Sequence, residues 1–247
     1  MKVVYFSPHL DDAIFSCGGI IAHQVDNGTA VEVWSFFTAD PPAENLTPFA
    51  KALHRRWGKQ GNPYQRRREE DMAACRTLAV NWRHFGFADC IYRRYPSDNS
   101  PLVRGRADLF RPAREAENTL ENSLLELIRQ HLEPDDRIVL PLAVGGHIDH
   151  ALVRKIGCRL ENRRQFYPDY PYAGTLKKVE ELHLPPGAEA FIAPLTAQEV
   201  VLWQAAASCY QSQISSFWKD RDALERAIAT YALSSLGATL WSFAGCA

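Results

Sequence analysis

Two short stretches hold most of the residues in this chain that could carry out chemistry. Ser7-Pro8-His9-Leu10-Asp11-Asp12 is the first, and Gly145-Gly146-His147-Ile148-Asp149-His150 is the second. Together they supply three histidines and three aspartates. Imidazole nitrogens with a carboxylate oxygen are a common zinc donor set, and a catalytic site keeps one further position open for water. Each residue alone has a plainer role. Asp11 or Asp12 could cap the following helix or complement its dipole. His9 could be a satisfied core histidine, and His147 and His150 could share a helix face by accident. A metal site is the reading that uses all six.

The elements that must position these residues are legible as hydrophobic runs. Val3-Val4-Tyr5-Phe6 precedes the first stretch and the apolar segment 137–142 precedes the second, and both read as buried strands. If they lie parallel and adjacent, both clusters face one crevice, where open α/β sheets place their chemistry. Helical periodicity from Gly18 to Val25, closed by Asn27-Gly28, followed by an apolar run over 31–37, makes a βαβ unit. Further strands are expected over 83–87, 164–167 and 188–193. Helices are expected over 66–78, 117–131, 148–160, 197–209 and 220–232, with Leu120, Leu124, Leu127 and Ile128 as one apolar stripe. Segment 39–64, punctuated by Pro41-Pro42, Pro48 and Asn62-Pro63, reads as a long mobile loop beside the site with a short helix near 49–57. The C-terminal segment 235–247 is apolar. The fold expected is α/β, a Rossmann-like three-layer sandwich with a mainly parallel sheet, in a single domain over 1–247.

Bulk properties narrow the function. With 28 basic and 29 acidic residues the net charge is -1, which gives no footing for nucleic acid. No apolar run is long enough to span a membrane, and no signal peptide is visible, so a cytoplasmic location is expected. The six cysteines show no CxxC and no regular spacing, and read as reduced, buried side chains, with Cys17 packed behind a helix start. The basic cluster Arg66-Arg67-Arg68 is either a solvated helix face or a local anion-binding patch.

Ser7-Pro8-His9-Leu10-Asp11-Asp12 resembles the first motif of the LmbE-like (PIG-L) zinc-dependent de-N-acetylases, and Gly146-His147-Ile148-Asp149-His150 resembles their second. The segment from Arg67 to Leu78 is similar to the helix between them, and Tyr210-Gln211-Ser212-Gln213 to a Ser-Gln motif near the family's C-terminal end. The resemblance implies His9, Asp12 and His150 as zinc ligands and Asp11 as general base. It implies His147 as the group that polarises the amide carbonyl or protonates the leaving amine, with Asp149 holding that imidazole. Its substrates are N-acetylated amino-sugar conjugates of the N-acetylglucosamine type. Leu10, Ala13 and Ile148 depart from residues common in the family; none is an expected ligand.

General chemistry supports that division. Zinc lowers the pKa of water towards neutral, and a second carboxylate beside the metal can accept the proton. An amide also needs a donor for its developing oxyanion, which a histidine charged by its neighbouring aspartate could provide. Iron or another divalent ion suits the same donors. Arg67 and Arg68 are the expected substrate contacts, since guanidinium forks suit phosphate and carboxylate, while Glu70 could pair with Arg67 within the helix. Trp57, Tyr64 and the aromatic loop from Tyr167 to Tyr172 could supply a stacking wall for a sugar. Two rival readings are a metal-dependent esterase or phosphoesterase, and a non-catalytic sugar or nucleotide binder; the latter lacks a GxGxxG loop. The partner expected is a small molecule, and the oligomeric state stays open, a homo-oligomer included.

Overall fold

A computed structural model describes residues 1–58, 61–111, 117–176 and 178–245, the side chain of Asn118 excepted. Seven strands form one sheet in the order β3-β2-β1-β4-β5-β7-β6. The strands β1 (Val3–Ser7), β2 (Val31–Ser35), β3 (Asn81–His84), β4 (Arg137–Pro141) and β5 (Arg164–Tyr167) run parallel. Two further strands, β6 (Glu189–Ile192) and β7 (Thr239–Ser242), close one side, with β7 antiparallel to both β5 and β6. Chain order reverses at β1, which pairs with β2 on one side and β4 on the other. The two motif-bearing strands are therefore neighbours at a topological switch point, and their carboxyl ends open on the same crevice.

Helices cover both faces, as the expected three-layer sandwich requires. Every residue of β1 is buried, the pattern of a central parallel strand. Its side chains alternate between layers. Val3 and Tyr5 join the core with α1 (Asp12–Asp26), α3 (Pro63–Thr77), α6 (Ala197–Ala207) and α8 (Arg221–Ala232). Val4 and Phe6 face α4 (Asn118–Arg129) and α5 (Ile148–Cys158). A third apolar cluster, including Leu10, Ala50, Trp57, Tyr64, Cys90 and Ile148, underlies the loops at the carboxyl edge of the sheet.

Several expectations need correction. Segment 39–64 is not chiefly a mobile loop. It contains the full helix α2 (Pro48–Trp57), and Pro63 begins α3. Pro48 and Pro63 sit at the first helical position, where the missing N–H costs nothing. Thr47 and Asn62 cap the two helices with their side chains. The third strand lies at 81–84, a few residues before the expected 83–87, because its register follows β2. The unplaced C-terminal segment supplies β7. Its partners lie at Phe166 and at residues 189–192, too far along the chain for local patterning to reveal. Helix α7 (Gln211–Phe217) was also unanticipated. Cys17, Cys75, Cys90 and Cys209 are free thiols. Cys158 is disulfide-bonded, contrary to expectation, because sequence spacing does not say which thiols meet in space. Cys246 lies outside the described residues. None of the described helices is long and apolar enough to cross a membrane.

Helix α1, which aims the first motif, packs closely on α6 through Gly18 and Gly19. Trp203 of α6 fills the space above them and donates its indole N–H to the Ile14 carbonyl at 2.7 Å. A Cβ on Gly18 would stand 2.2 Å from the Trp203 ring. Gly18→Ala should therefore destabilise the fold by about 1–3 kcal/mol through overpacking. Denaturant unfolding followed by tryptophan fluorescence would check it; an unchanged midpoint would show that the helices simply separate.

Candidate metal and catalytic site

The first motif turns sharply out of β1. Ser7 Oγ donates to the His9 carbonyl at 2.5 Å and accepts the Ala13 amide at 3.0 Å, which braces the turn into α1. Asp11 occupies the N-cap position of α1, yet its side chain caps no amide. Its carboxylate is left to face the cavity, where Arg67 Nη2 approaches it at 3.4 Å. Asp12 turns the other way. Its Oδ2 accepts the His9 amide at 2.7 Å and lies 3.1 Å from His9 Nδ1 and 3.3 Å from His150 Nε2. The adjacent carboxylates thus occupy two distinct environments.

His9, Asp12 and His150 bring one donor atom each within 4.8 Å of one another, at the cavity wall. Imidazole, carboxylate and imidazole fit a divalent metal with an open position. The far nitrogen of each imidazole meets a second, buried carboxylate. His9 Nε2 lies 3.1 Å from Asp149, and His150 Nδ1 lies 2.6 Å from Asp169. Such carboxylate–histidine pairs fix ring orientation and raise ligand basicity. Burial opposes protonation of these two imidazoles, but the charge of Asp12 and the other carboxylates outweighs it; His9 is raised well above the usual range and His150 is pushed up to about 10. Those same imidazoles overcome burial at Asp12 and hold its carboxyl well below the ordinary value.

His147 caps α5, with Nδ1 accepting the Asp149 amide at 3.3 Å. Its Nε2 is therefore the protonated nitrogen of the neutral ring. Burial, followed by the positive charge of His150 and His9, pushes His147 down to about 3. Asp149 works against this shift, as expected of a carboxylate beside the ring, but does not outweigh it. Asp149 turns its carboxylate to His9, to the Cys90 amide at 3.1 Å, and to Arg93 at 2.5 Å. Arg93 also reaches Glu117 at 2.6 Å and lies over the Phe37 ring. Asp149 is fully buried, and Arg93 and His9 together outweigh that burial to keep it ionised.

The expected arginine pair separates. Arg67 is buried against Trp57 and Tyr64 and lines the cavity beside Asp11. Arg68 points elsewhere, donating to the Thr38 carbonyl and to Asp40, both at 2.7 Å, so it does not join the cavity wall. A one-residue step on a helix turns a side chain by about 100°, which separates neighbours. Glu70 pairs with Arg66 rather than Arg67, and it accepts the Ser212 amide and hydroxyl. The Ser-Gln motif thus ties α7 to α3, and Gln213 reaches the cavity. Asp89 was not anticipated. It accepts the Tyr64 hydroxyl and the Ile91 amide and lies 3.7 Å from His9 Nε2. Asp169, Arg93 and Glu117 were also missed. Asp169 could have been flagged by its place just after β5, the next strand along the same sheet edge.

Burial at neighbouring charges leaves Asp11 apart from the rest. Desolvation raises its carboxyl, Arg67 partly offsets that, and Asp12 adds to it, leaving Asp11 at about 6.

The mostly parallel α/β sheet thus carries at its switch point a buried histidine–aspartate cluster whose donors suit a divalent metal. A family model for GlcNAc-PI de-N-acetylase (PIG-L) matches residues 4–160, and the chain belongs to that family. It is 33% identical over 189 residues to 2'-N-acetylparomamine deacetylase of Streptomyces fradiae, covering 72% of this chain and 60% of that protein. It is 29% identical over 195 residues to 2'-N-acetylparomamine deacetylase of Niallia circulans, covering 68% of this chain and 66% of that one. These alignments span less than two thirds of each relative's length. The fold is similar to that of a solved deacetylase of the teicoplanin biosynthesis pathway, with a TM-score of 0.79 at 24% identity over 98% of this chain and 97% of that one.

The Asp169 contact yields a prediction independent of any reaction. Asp169→Asn should weaken divalent-metal binding roughly 10–100-fold while leaving the fold intact. Competition with a chelating indicator would read this, and unchanged affinity would remove Asp169 from the support of His150.

Proposed function

We propose that the protein is a zinc-dependent de-N-acetylase that hydrolyses the acetamide of an N-acetylated amino-sugar conjugate. His9, Asp12 and His150 hold the metal. The observation that carries this reading is the split between the adjacent aspartates: Asp12 lies among the imidazoles, while Asp11 faces the same cavity with its carboxyl raised to about 6. A base near neutrality combines the correct protonation state with proton affinity. The family membership and the named activity of the Streptomyces relative support the same assignment.

Zinc at this donor set would supply Lewis acidity and lower the pKa of water. Asp11 takes the proton of the attacking water, with Arg67 holding the carboxylate in place. His147 is neutral, and its outward Nε2–H donates to the carbonyl oxygen as that oxygen gains charge. The proton held by Asp11 then passes to the leaving nitrogen, so that acetate and a free amine result. Asp149 holds His9 through its carboxylate and His147 through its backbone amide.

Asp11→Asn should lower kcat for acetate release by at least about 100-fold, the scale of a lost general base, while the metal content stays stoichiometric. His150→Ala should lose the metal. Retained turnover in the first variant, or retained metal in the second, would overturn the respective assignment. The acidic limb of the pH–rate profile follows from Asp11. Its raised pKa means that the base form is lost as pH falls through about 6, and the positive charge of a bound metal moves that limb to lower pH. An acidic limb that Asp11→Asn leaves unmoved in the residual activity would exclude Asp11 as its source.

A further inference from the structure

We propose that Arg93, backed by Glu117, is a positioning residue for the metal: it holds the Asp149 carboxylate against His9 and so sets how tightly His9, Asp12 and His150 hold their ion. This rests on the metal-site reading above and extends it to a buried pair that no step of the hydrolysis uses.

The two imidazoles are supported in different ways. Asp169, behind His150, is held by the Val144 amide at 2.8 Å. Asp149, behind His9, is gripped instead by one turn of chain, residues 89–93. That turn reaches the site by extending the sheet. The Phe85 and Phe87 amides donate to the Ser35 and Phe36 carbonyls at 3.0 and 3.1 Å, so the pairing of β3 with β2 continues past both strands. The turn then closes on itself, with the Tyr92 amide on the Asp89 carbonyl at 2.9 Å and the Arg93 amide on the Cys90 carbonyl at 3.2 Å.

Closure puts two groups of the turn on the two oxygens of Asp149. The Cys90 amide donates to Oδ2 at 3.1 Å, and the same oxygen lies 3.1 Å from His9 Nε2. Arg93 Nη2 stands 2.5 Å from Oδ1. Among the described residues Oδ1 accepts no aligned hydrogen bond, so the charge of Arg93 is what holds it. A carboxylate held at one oxygen can turn about that contact; held at both, it keeps the plane in which it meets His9. A lone guanidinium this close would oppose a cation in the site. Glu117 offsets that, because its Oε1 lies 2.6 Å from the same Nη2. Phe37 packs on both ends of the relay, its ring 5.0 Å from the guanidinium and 6.1 Å from the His9 ring. An ion pair buried this deep is a poor source of stability; its place behind a metal ligand gives it a use.

Zinc titration of the full chain, in competition with a chelating indicator, tests this. The charge-neutral variant Arg93→Gln with Glu117→Gln should bind zinc about tenfold more weakly, the lower end of what support behind a ligand contributes. It should also shift the visible bands of the cobalt(II)-loaded protein, which report ligand geometry. Both changes should vanish when Asp149→Asn is already present, because the pair acts through that carboxylate. A loss that persists in that background would make Arg93 and Glu117 mere scaffold and overturn the proposal. Should the double variant not fold, Arg93→Lys decides in its place. It leaves the carboxylates a cation with a shorter reach, and should weaken zinc by a smaller factor, again only while Asp149 is intact; unchanged affinity would overturn the proposal. An unaltered chain that takes up no zinc would overturn the metal-site reading and this one together. Zinc held equally by the unaltered chain and the variants would overturn this one alone.

Discussion

The arrangement depends on a single constraint: two buried imidazoles, each held between carboxylates. His9 lies between Asp12 and Asp149, and His150 between Asp12 and Asp169. Charges taken out of water cost several kcal/mol each unless they are paired in good geometry. Five acidic and basic groups packed this closely can exist only if positive and negative groups nearly cancel. Such a cluster is prepared for a cation, because a metal between the donors can replace the protons that otherwise balance the carboxylates.

The surrounding charges follow from that requirement. Asp149 is fully buried and already committed to His9, so it takes a second cation, Arg93, which in turn meets Glu117. The basic side of the balance is also why His147 stays neutral: with two positively biased imidazoles beside it and little solvent, a third charge is unfavourable. Neutrality fixes its chemistry, since a ring that accepts the Asp149 amide at Nδ1 presents an N–H on its other side. Asp11 lies outside this closed network. Its ion pair is with Arg67 at 3.4 Å, and that partner, even with the charge of His9, does not fully offset burial. The carboxylate left with a raised proton affinity is thus the one free to move a proton.

The scaffold shows the same economy of local and distant forces. The continuous apolar runs of β1 and β4 announced themselves because a central parallel strand is buried on both faces. The segment at 164–167 was delimited to the residue, while β7 escaped notice. Four residues with partners at Phe166 and 189–192 carry no local signal of pairing. Pro48 and Pro63 misled in the opposite direction, since proline marks a helix start as readily as a loop.

Residue type and spacing alone placed His9, Asp11, Asp12, His147, Asp149 and His150 after two buried strands; that β1 and β4 are parallel neighbours, so that the clusters meet, was decided by the sheet. The periodicities of strand and helix are local properties, and the sequence carries them; the reversal of chain order at β1 is a property of the folded sheet. Tertiary structure decided what each side chain does there. It turned Asp149 to His9 instead of His147, brought Asp169 from the loop after β5 to His150, and sent Arg67 into the cavity but Arg68 to Asp40. Those outcomes depend on which buried charge lies within reach of which partner. Such distances are set by packing between residues 19 to 140 positions apart in the chain, and no local pattern encodes them.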